Sequence, residues 1–129
     1  MPLQPERDGA GQVIPHDDPA IAGNGYVVRP INPYAHLCPD ENTGGQRISP
    51  GAFHHTRESN GGVSVDIGQE LLAAGLALGH MVQAGMGAVK IRVDAIRRLE
   101  LWVGSDPILA EKPGDRENAY HADEGPRLR

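Results

Sequence analysis

The chain has few residues with which to fill a large core. Aromatic residues make up 4% of its 129 residues, with one Phe, one Trp and three Tyr, and hydrophobic residues of all kinds make up 39%. Gly and Pro are common, at 17 and 11. A chain of this length is the size of a single domain. The composition therefore predicts one loop-rich domain with a small, mostly aliphatic core.

Cysteine and long apolar runs are also scarce. Cys38 is the one cysteine, which excludes an internal disulfide and a disulfide-stapled secreted domain. The most apolar stretch, residues 71–89, is interrupted by His80, Gln83 and several glycines. It lacks the run of about twenty apolar residues that a membrane span needs. The N-terminus shows no secretory signal, so we expect a soluble, cytoplasmic protein that does not bind membranes.

Positive charge is not in excess anywhere. Residues 1–20 carry four acids and one base, residues 21–105 carry seven of each, and residues 106–129 carry six acids and four bases. The net charge of −5 therefore lies in the two ends. Binding to nucleic acid requires a cationic face that displaces counterions from phosphates. We therefore expect no nucleic-acid partner.

The chain divides into three parts. Residues 1–22 are rich in Pro, Asp and Gly, which predicts a disordered or loosely attached segment. Residues 23–123 form the predicted domain, and residues 124–129 form a short tail. Alternating or β-rich runs bounded by turn residues predict four to five short strands. These strands are expected at residues 25–31, 62–66, 88–94, 99–103 and 119–122.

One principal helix is predicted between Ile67 and Gln83. Asp66 followed by Gln69 has the spacing of a capping box, and leucines dominate the run that follows. Ser49 has the position of a cap for a single turn at residues 50–53. A second short turn follows Asp94. The predicted class is α+β, with a mostly antiparallel sheet and one principal helix.

Several segments resemble a family of small uncharacterised bacterial proteins. The family pattern has an Arg on an early strand, a "GRRxSxxAF" segment, an "xSVD" strand and a closing "DP…NxxHA" segment. The resemblance covers residues 25–123 and implies no assigned activity, and Gln46 replaces the first arginine of "GRR". It rests on Tyr26–Arg29, Gly45–Ser49 with Ala52 and Phe53, Val63–Asp66, Gly87–Ile91, Asp106–Pro107, Asn118, and His121–Ala122.

Five polar residues of these segments are the candidate ligand-binding residues. Arginine presents a fork of donors to a carboxylate or phosphate, serine adds a short donor, and histidine can take part in acid–base chemistry. Each residue also has a structural interpretation: an arginine paired with an acid, a serine as a helix cap or pointing outward, a histidine satisfied near the surface. The set is Arg29, Arg47, Ser49, Ser64 and His121.

Two functions follow from this set. The first is a binding module that holds a partner protein or an anionic ligand on an Arg/Ser/His face. The second is a small enzyme, since an early strand Arg and a later strand Ser resemble the NAD-binding residues of the ADP-ribosyltransferase fold. That resemblance implies NAD as substrate and a late catalytic Glu, for which Glu100, Glu117 and Glu124 are poorly placed. The sequence leaves open whether the protein is an enzyme.

Four further residues could in principle bind zinc. His36, Cys38, His54 and His55 are ligand types that zinc accepts. Their spacing is not that of a finger, a ribbon or a zincin. We therefore predict no metal and no cofactor, and leave these four residues as an open question.

Overall fold

The described part of the chain consists of seven strands and two short helices. The computed structural model describes residues 5–49, 63–108 and 118–125. Strands β1 (Tyr26–Ile31), β4 (Val63–Ile67), β5 (Gly87–Arg92), β6 (Trp102–Ser105) and β7 (His121–Gly125) form one sheet in the order β5-β1-β4-β7-β6. All of its neighbouring strands are antiparallel. Strands β2 (Leu37–Pro39) and β3 (Gln46–Ile48) pair as a separate hairpin. The predicted α+β class with an antiparallel sheet is confirmed.

The strands differ from the prediction mainly at their ends. β6 begins at Trp102, three residues late, because Glu100 has a left-handed φ of 61° that no strand accepts. β7 extends to Gly125, so the first two residues of the predicted tail belong to the sheet. The hairpin of β2 and β3 lies between the predicted strands at residues 25–31 and 62–66, where the sequence pattern predicts no strand.

The predicted helix from Ile67 to Gln83 is wrong in length. Helix α1 spans Gly68–Ala73, and the chain then turns at Gly75, whose φ is 76°. The amide of Leu76 donates to the carbonyl of Leu71 at 2.9 Å and closes the helix end. The second helix, α2, spans Val93–Arg98. Within the described ranges, no helix has the length and apolarity that crossing a membrane would require.

The predicted caps of the helices are also wrong. The residue before α1 is Ile67 and makes no side-chain cap, whereas Asp66 is a buried member of β4. Gln69 binds the N-terminal segment: it accepts from the amide of Ala22 at 2.7 Å and donates to the carbonyl of Ala20 at 3.0 Å. Asp94 lies inside the first turn of α2. The turn predicted at residues 50–53 lies outside the described residues.

The core lies on one face of the five-stranded sheet. Helix α2 contributes two buried residues, Val93 and Ile96, and the N-terminal segment contributes Ile21, which is 2% exposed. As the composition indicated, the cluster is aliphatic. Its buried members are Ile21, Val27, Val65, Ile67, Val93, Ile96, Val103 and Ala122.

The other face of β4 and β7 carries polar side chains. Ser64 pairs with Asp123 and Asp66 pairs with His121, and directly paired residues point to the same face of a sheet. Because side chains alternate along a strand, these four lie on the face away from Val65. We call Ser64, Asp66, His121 and Asp123 the polar face.

The N-terminal segment is held against the domain from Asp17 to Ala22. The Arg97 guanidinium donates to the carbonyls of Ile21 and Asp18 at 2.7 and 2.8 Å and to the Asp17 carboxylate at 3.1 Å. Asp17 also accepts from the amide of Val103 at 3.0 Å. Part of the segment predicted as disordered or loosely attached thus contacts the domain through Asp17, Asp18 and Ile21, and the prediction for residues 1–22 as a whole stays a prediction.

Candidate functional site

A pocket opens where strands β1 and β4 separate. The described pairing of these strands consists of Val27 with Ile67 and Val28 with Asp66. Beyond Val28, β1 remains paired with β5 as far as Ile31 but no longer pairs with β4. The edge of β4 beyond this pairing borders a pocket of about 240 Å³. The described residues that line this pocket are Arg29, Pro30, Ser64, Val65, Asp66, Ile108, Asn118 and His121.

Arg29 spans the gap between the two strands. Its Nη1 donates to the backbone carbonyl of Ser64 at 3.0 Å, and so supplies a donor at a position where strand pairing has stopped. Pro30, which follows, has no amide hydrogen to offer. Burial lowers the pKa of Arg29, and the carboxylate of Glu124 opposes this shift. Arg29 is therefore both a wall of the pocket and a brace between β1 and β4.

Asn118 connects the polar face to the far wall of the pocket. Its side-chain amide donates to Asp66 Oδ1 at 2.7 Å, and its side-chain oxygen accepts from the amide of Tyr120 at 3.0 Å. Its backbone forms a two-way bridge with Ile108, with both N–O distances at 2.8 Å. These bonds fix the position of Asn118 and the orientation of the Asp66 carboxylate.

A buried acid lies close to Arg29. Glu124 is 5% exposed, and burial raises its pKa, while the positive charge of Arg29 partly offsets the shift. The pocket itself combines the cation of Arg29 with the acid Asp66, and Glu124 lies outside its described wall. Such a site suits a ligand that carries both an acceptor for Arg29 and a donor for Asp66 or Asn118.

A second polar cluster adjoins His121 on the side of β6. His121 Nδ1 donates to the backbone carbonyl of Asp106 at 2.7 Å, and His121 Nε2 lies 3.9 Å from Asp123 Oδ1. Asp106 is also 3.6 Å from the guanidinium of Arg7. Burial raises the pKa of Asp123 to about 8, with further contributions from a hydrogen bond to Asp106 and from its charge. The surroundings of Asp123 therefore disfavour its charged form.

The structure brings three of the five predicted site residues together. Arg29, Ser64 and His121 line the pocket, although they come from three different strands. Arg47 is an exposed residue of β3, and the Ser49 amide donates to the carbonyl of His36 at 2.7 Å. Neither of these two is among the described residues of the pocket wall. Their participation in the same site stays a prediction.

Two of the four residues considered as zinc ligands lie outside the described ranges. His36 and Cys38 lie at the hairpin of β2 and β3, where His36 Nδ1 accepts from the amide of Asn32 at 2.8 Å. His54 and His55 belong to the residues that the structure leaves undescribed. Through this hydrogen bond, His36 has a structural role in the described part of the chain.

The site includes three acids and an amide that the sequence did not assign to it. Asp66 was assigned to a helix cap, and Asp106, Asn118 and Asp123 were given no role. One signal was available: in a strand that begins at His121, the residue two positions later faces the same side. That spacing places Asp123 beside His121. The "DP…NxxHA" pattern groups Asp106 with Asn118 and His121 along the chain, but it did not indicate that Asp106 would contact His121.

No protein-family model, curated protein or solved structure matches this chain. The resemblance to a family of small bacterial proteins therefore stays a prediction. The function has to be inferred from the geometry of the site.

Proposed function

We propose that the protein is a small binding module whose pocket between β1 and β4 takes a small ligand, or the side chain of a partner protein, that carries an anionic group. The observation that supports this most is the convergence of a guanidinium, a carboxylate, an amide and an imidazole on one pocket. Convergent polar groups in a concave site are the usual mark of ligand recognition. A cytoplasmic location and the bacterial family belong to this proposal.

The contacts of the pocket specify the ligand. Arg29 supplies the positive charge that attracts a carboxylate or phosphate. Asp66 is fixed by Asn118 and disfavours a second anionic group at that end of the pocket. A volume of about 240 Å³ lies below the ~300–1,000 Å³ typical of sites for drug-sized ligands. The expected ligand is therefore a small molecule with one acidic end and one hydrogen-bond donor.

An ADP-ribosyltransferase-like enzyme acting on NAD is the second candidate. It is favoured by the presence of an acid, Asp66, in the same pocket as Arg29 and Ser64. The volume favours the binding module, because a dinucleotide would need more space than this pocket offers. Incubation with NAD, followed by detection of released nicotinamide, tests this candidate directly.

The binding module is tested with probes that differ in charge. Succinamate (one carboxylate and one amide), phosphate and the uncharged analogue succinamide are titrated into the protein by calorimetry. We expect the anions to bind and succinamide to bind at least about tenfold more weakly, since it cannot make a charge-assisted contact with Arg29. Equal affinity for succinamate and succinamide would contradict the role given to Arg29.

Two exposed isoleucines offer a matched pair of variants. Ile108, at the pocket wall, is 39% exposed, and Ile14, on the N-terminal segment, is 40% exposed. Ile108→Trp places a large side chain at the pocket, whereas Ile14→Trp makes the same change elsewhere on the surface. We expect succinamate affinity to fall at least about tenfold in the first variant and to stay unchanged in the second. The same affinity in both variants would place the binding site elsewhere.

A further inference from the structure

The cluster next to the pocket has the composition of a metal site. Asp106 follows the end of β6, and His121 and Asp123 are alternate residues of β7 on the polar face. One ligand atom from each of these residues lies within 4.8 Å of the others. The Asp106 and Asp123 carboxylates each contribute one oxygen to this group. Two carboxylates this close repel each other, and a cation between them removes the repulsion.

The imidazole of His121 is oriented as in a metal ligand. A backbone carbonyl can only accept a hydrogen bond, so the 2.7 Å contact with the Asp106 carbonyl places the proton of the neutral ring on Nδ1. The lone pair is then on Nε2, the atom that lies 3.9 Å from Asp123 Oδ1. Metal-binding histidines are held in this way, with the second ring nitrogen donating to a carbonyl or carboxylate.

Asp123 supplies an independent sign of a missing partner. Its side chain is 6% exposed, and its Oδ1 is buried and accepts no hydrogen bond from any residue in the described ranges. A buried carboxylate oxygen without a donor is costly. The same oxygen is the atom that faces His121 Nε2. It is therefore both unsatisfied and directed into the cluster.

We propose that Asp106, His121 and Asp123 bind a divalent transition cation. Metal–ligand bonds of about 2.0–2.2 Å place neighbouring ligand atoms about 3–3.5 Å apart. The distance between His121 Nε2 and Asp123 Oδ1 is 3.9 Å, so the proposal requires small side-chain rotations on binding. One imidazole nitrogen with two carboxylates suits Mn²⁺ or Zn²⁺ better than Ca²⁺ or Mg²⁺, which take oxygen ligands. The cation neutralises both acids and gives Asp123 Oδ1 a partner.

The N-terminal segment covers this cluster. Gly104 pairs with Asp123, and a Cβ on Gly104 would come within 2.9 Å of ring atoms of His16. The glycine thus leaves room for His16 on the face that carries Asp123. Arg7, from the same segment, lies 3.6 Å from Asp106. The segment limits access of solvent to the cluster, which strengthens the attraction between the acids and a cation.

The proposal is tested by metal titration of the full chain after treatment with chelator. Mn²⁺ binding is followed by electron paramagnetic resonance and Zn²⁺ binding by calorimetry. We expect one saturable Mn²⁺ site per chain. Asp123→Asn keeps the shape of the side chain and should weaken metal binding by about 100-fold or more. Substitution of residues that only orient the ligands already lowers metal affinity by about 10–100-fold. His121→Gln is the second variant and should have the same effect.

Two variants serve as controls. His80→Gln removes an exposed histidine outside the cluster, and Cys38→Ser removes the thiol at the hairpin; both should bind Mn²⁺ and Zn²⁺ like the parent chain. The metal titration is carried out without any pocket ligand, so failure of succinamate to bind would leave the metal site standing.

A measurement that needs no variant completes the test. Mn²⁺ is paramagnetic, so we expect substoichiometric Mn²⁺ to broaden the ring resonances of His121 before those of His80. The proposal is overturned if the parent chain shows no saturable binding, which would mean that the acids share a proton. It is equally overturned if Asp123→Asn binds as tightly as the parent, or if Cys38→Ser alone abolishes binding.

Discussion

Replacement of Arg97 by Met should detach the N-terminal segment from the domain. The Arg97 guanidinium reaches two backbone carbonyls, of Asp18 and Ile21, and the carboxylate of Asp17, at 2.7–3.1 Å. Methionine keeps much of the aliphatic volume of the side chain and removes all three donors. Its neighbour provides the control: Arg98 is 76% exposed and makes a 3.6 Å ion pair with Asp94.

The size of the effect follows from these contacts. A hydrogen bond from a charged donor contributes about 1.5–3 kcal/mol, and burial of one isoleucine side chain contributes about 1.5–3 kcal/mol. The ion pair with Asp17 is partly exposed and adds little. Because these contributions are coupled through Ile21, they do not add, and we expect Arg97→Met to cost about 3 kcal/mol. Arg98→Met should cost less than about 0.5 kcal/mol.

The measurement is urea denaturation followed by tryptophan fluorescence. Trp102 is the only tryptophan of the chain and is 5% exposed, so its emission reports unfolding of the sheet. The decisive step is to repeat Arg97→Met in a chain that lacks residues 1–22. There the substitution should have almost no effect, because its partners are gone. The same loss in both backgrounds, or equal losses for Arg97→Met and Arg98→Met, would refute the reasoning.

Two further predictions concern the site. Arg29→Met should lower the free energy of unfolding by about 2 kcal/mol in urea denaturation, because the Ser64 carbonyl loses its charged donor. Arg47 is exposed, so Arg47→Met should change this free energy by less than about 0.5 kcal/mol. Equal effects of the two substitutions would show that Arg29 does not hold β1 and β4 together. Gly104→Ala should lower the free energy of unfolding by about 1–3 kcal/mol, because the new Cβ would collide with the backbone of the N-terminal segment. Gly9→Ala is the control, since a Cβ at Gly9 meets open space. If Gly104→Ala melts at the same temperature as the parent chain, the described packing is wrong.

Much of the strand content was predictable, because strand patterns are local. Residues 87–92 alternate between half-buried and exposed side chains, as the spacing of Val89 and Ile91 indicated. The short strand around Val65 was predicted from its β-branched residues and flanking glycines. The prediction of a long helix failed, although a leucine-rich run favours a helix locally. In the structure the chain turns at Gly75, which has a left-handed backbone conformation, and Leu72 is 58% exposed instead of packed.

The candidate site was predictable by residue type and not by arrangement. Arg29 and His121 attracted attention because their side chains bind anions and protons in many proteins, and that holds in any fold. The role of Asp66 depended on Asn118, which lies 52 residues away along the chain. A carboxylate before a helical run fits a cap by local rules, and only the pairing of β4 with β7 buries it beside an amide donor. Local patterns therefore determined which segments became strands, whereas the pocket and the acid cluster arose from contacts between distant segments, whose energies no local pattern contains.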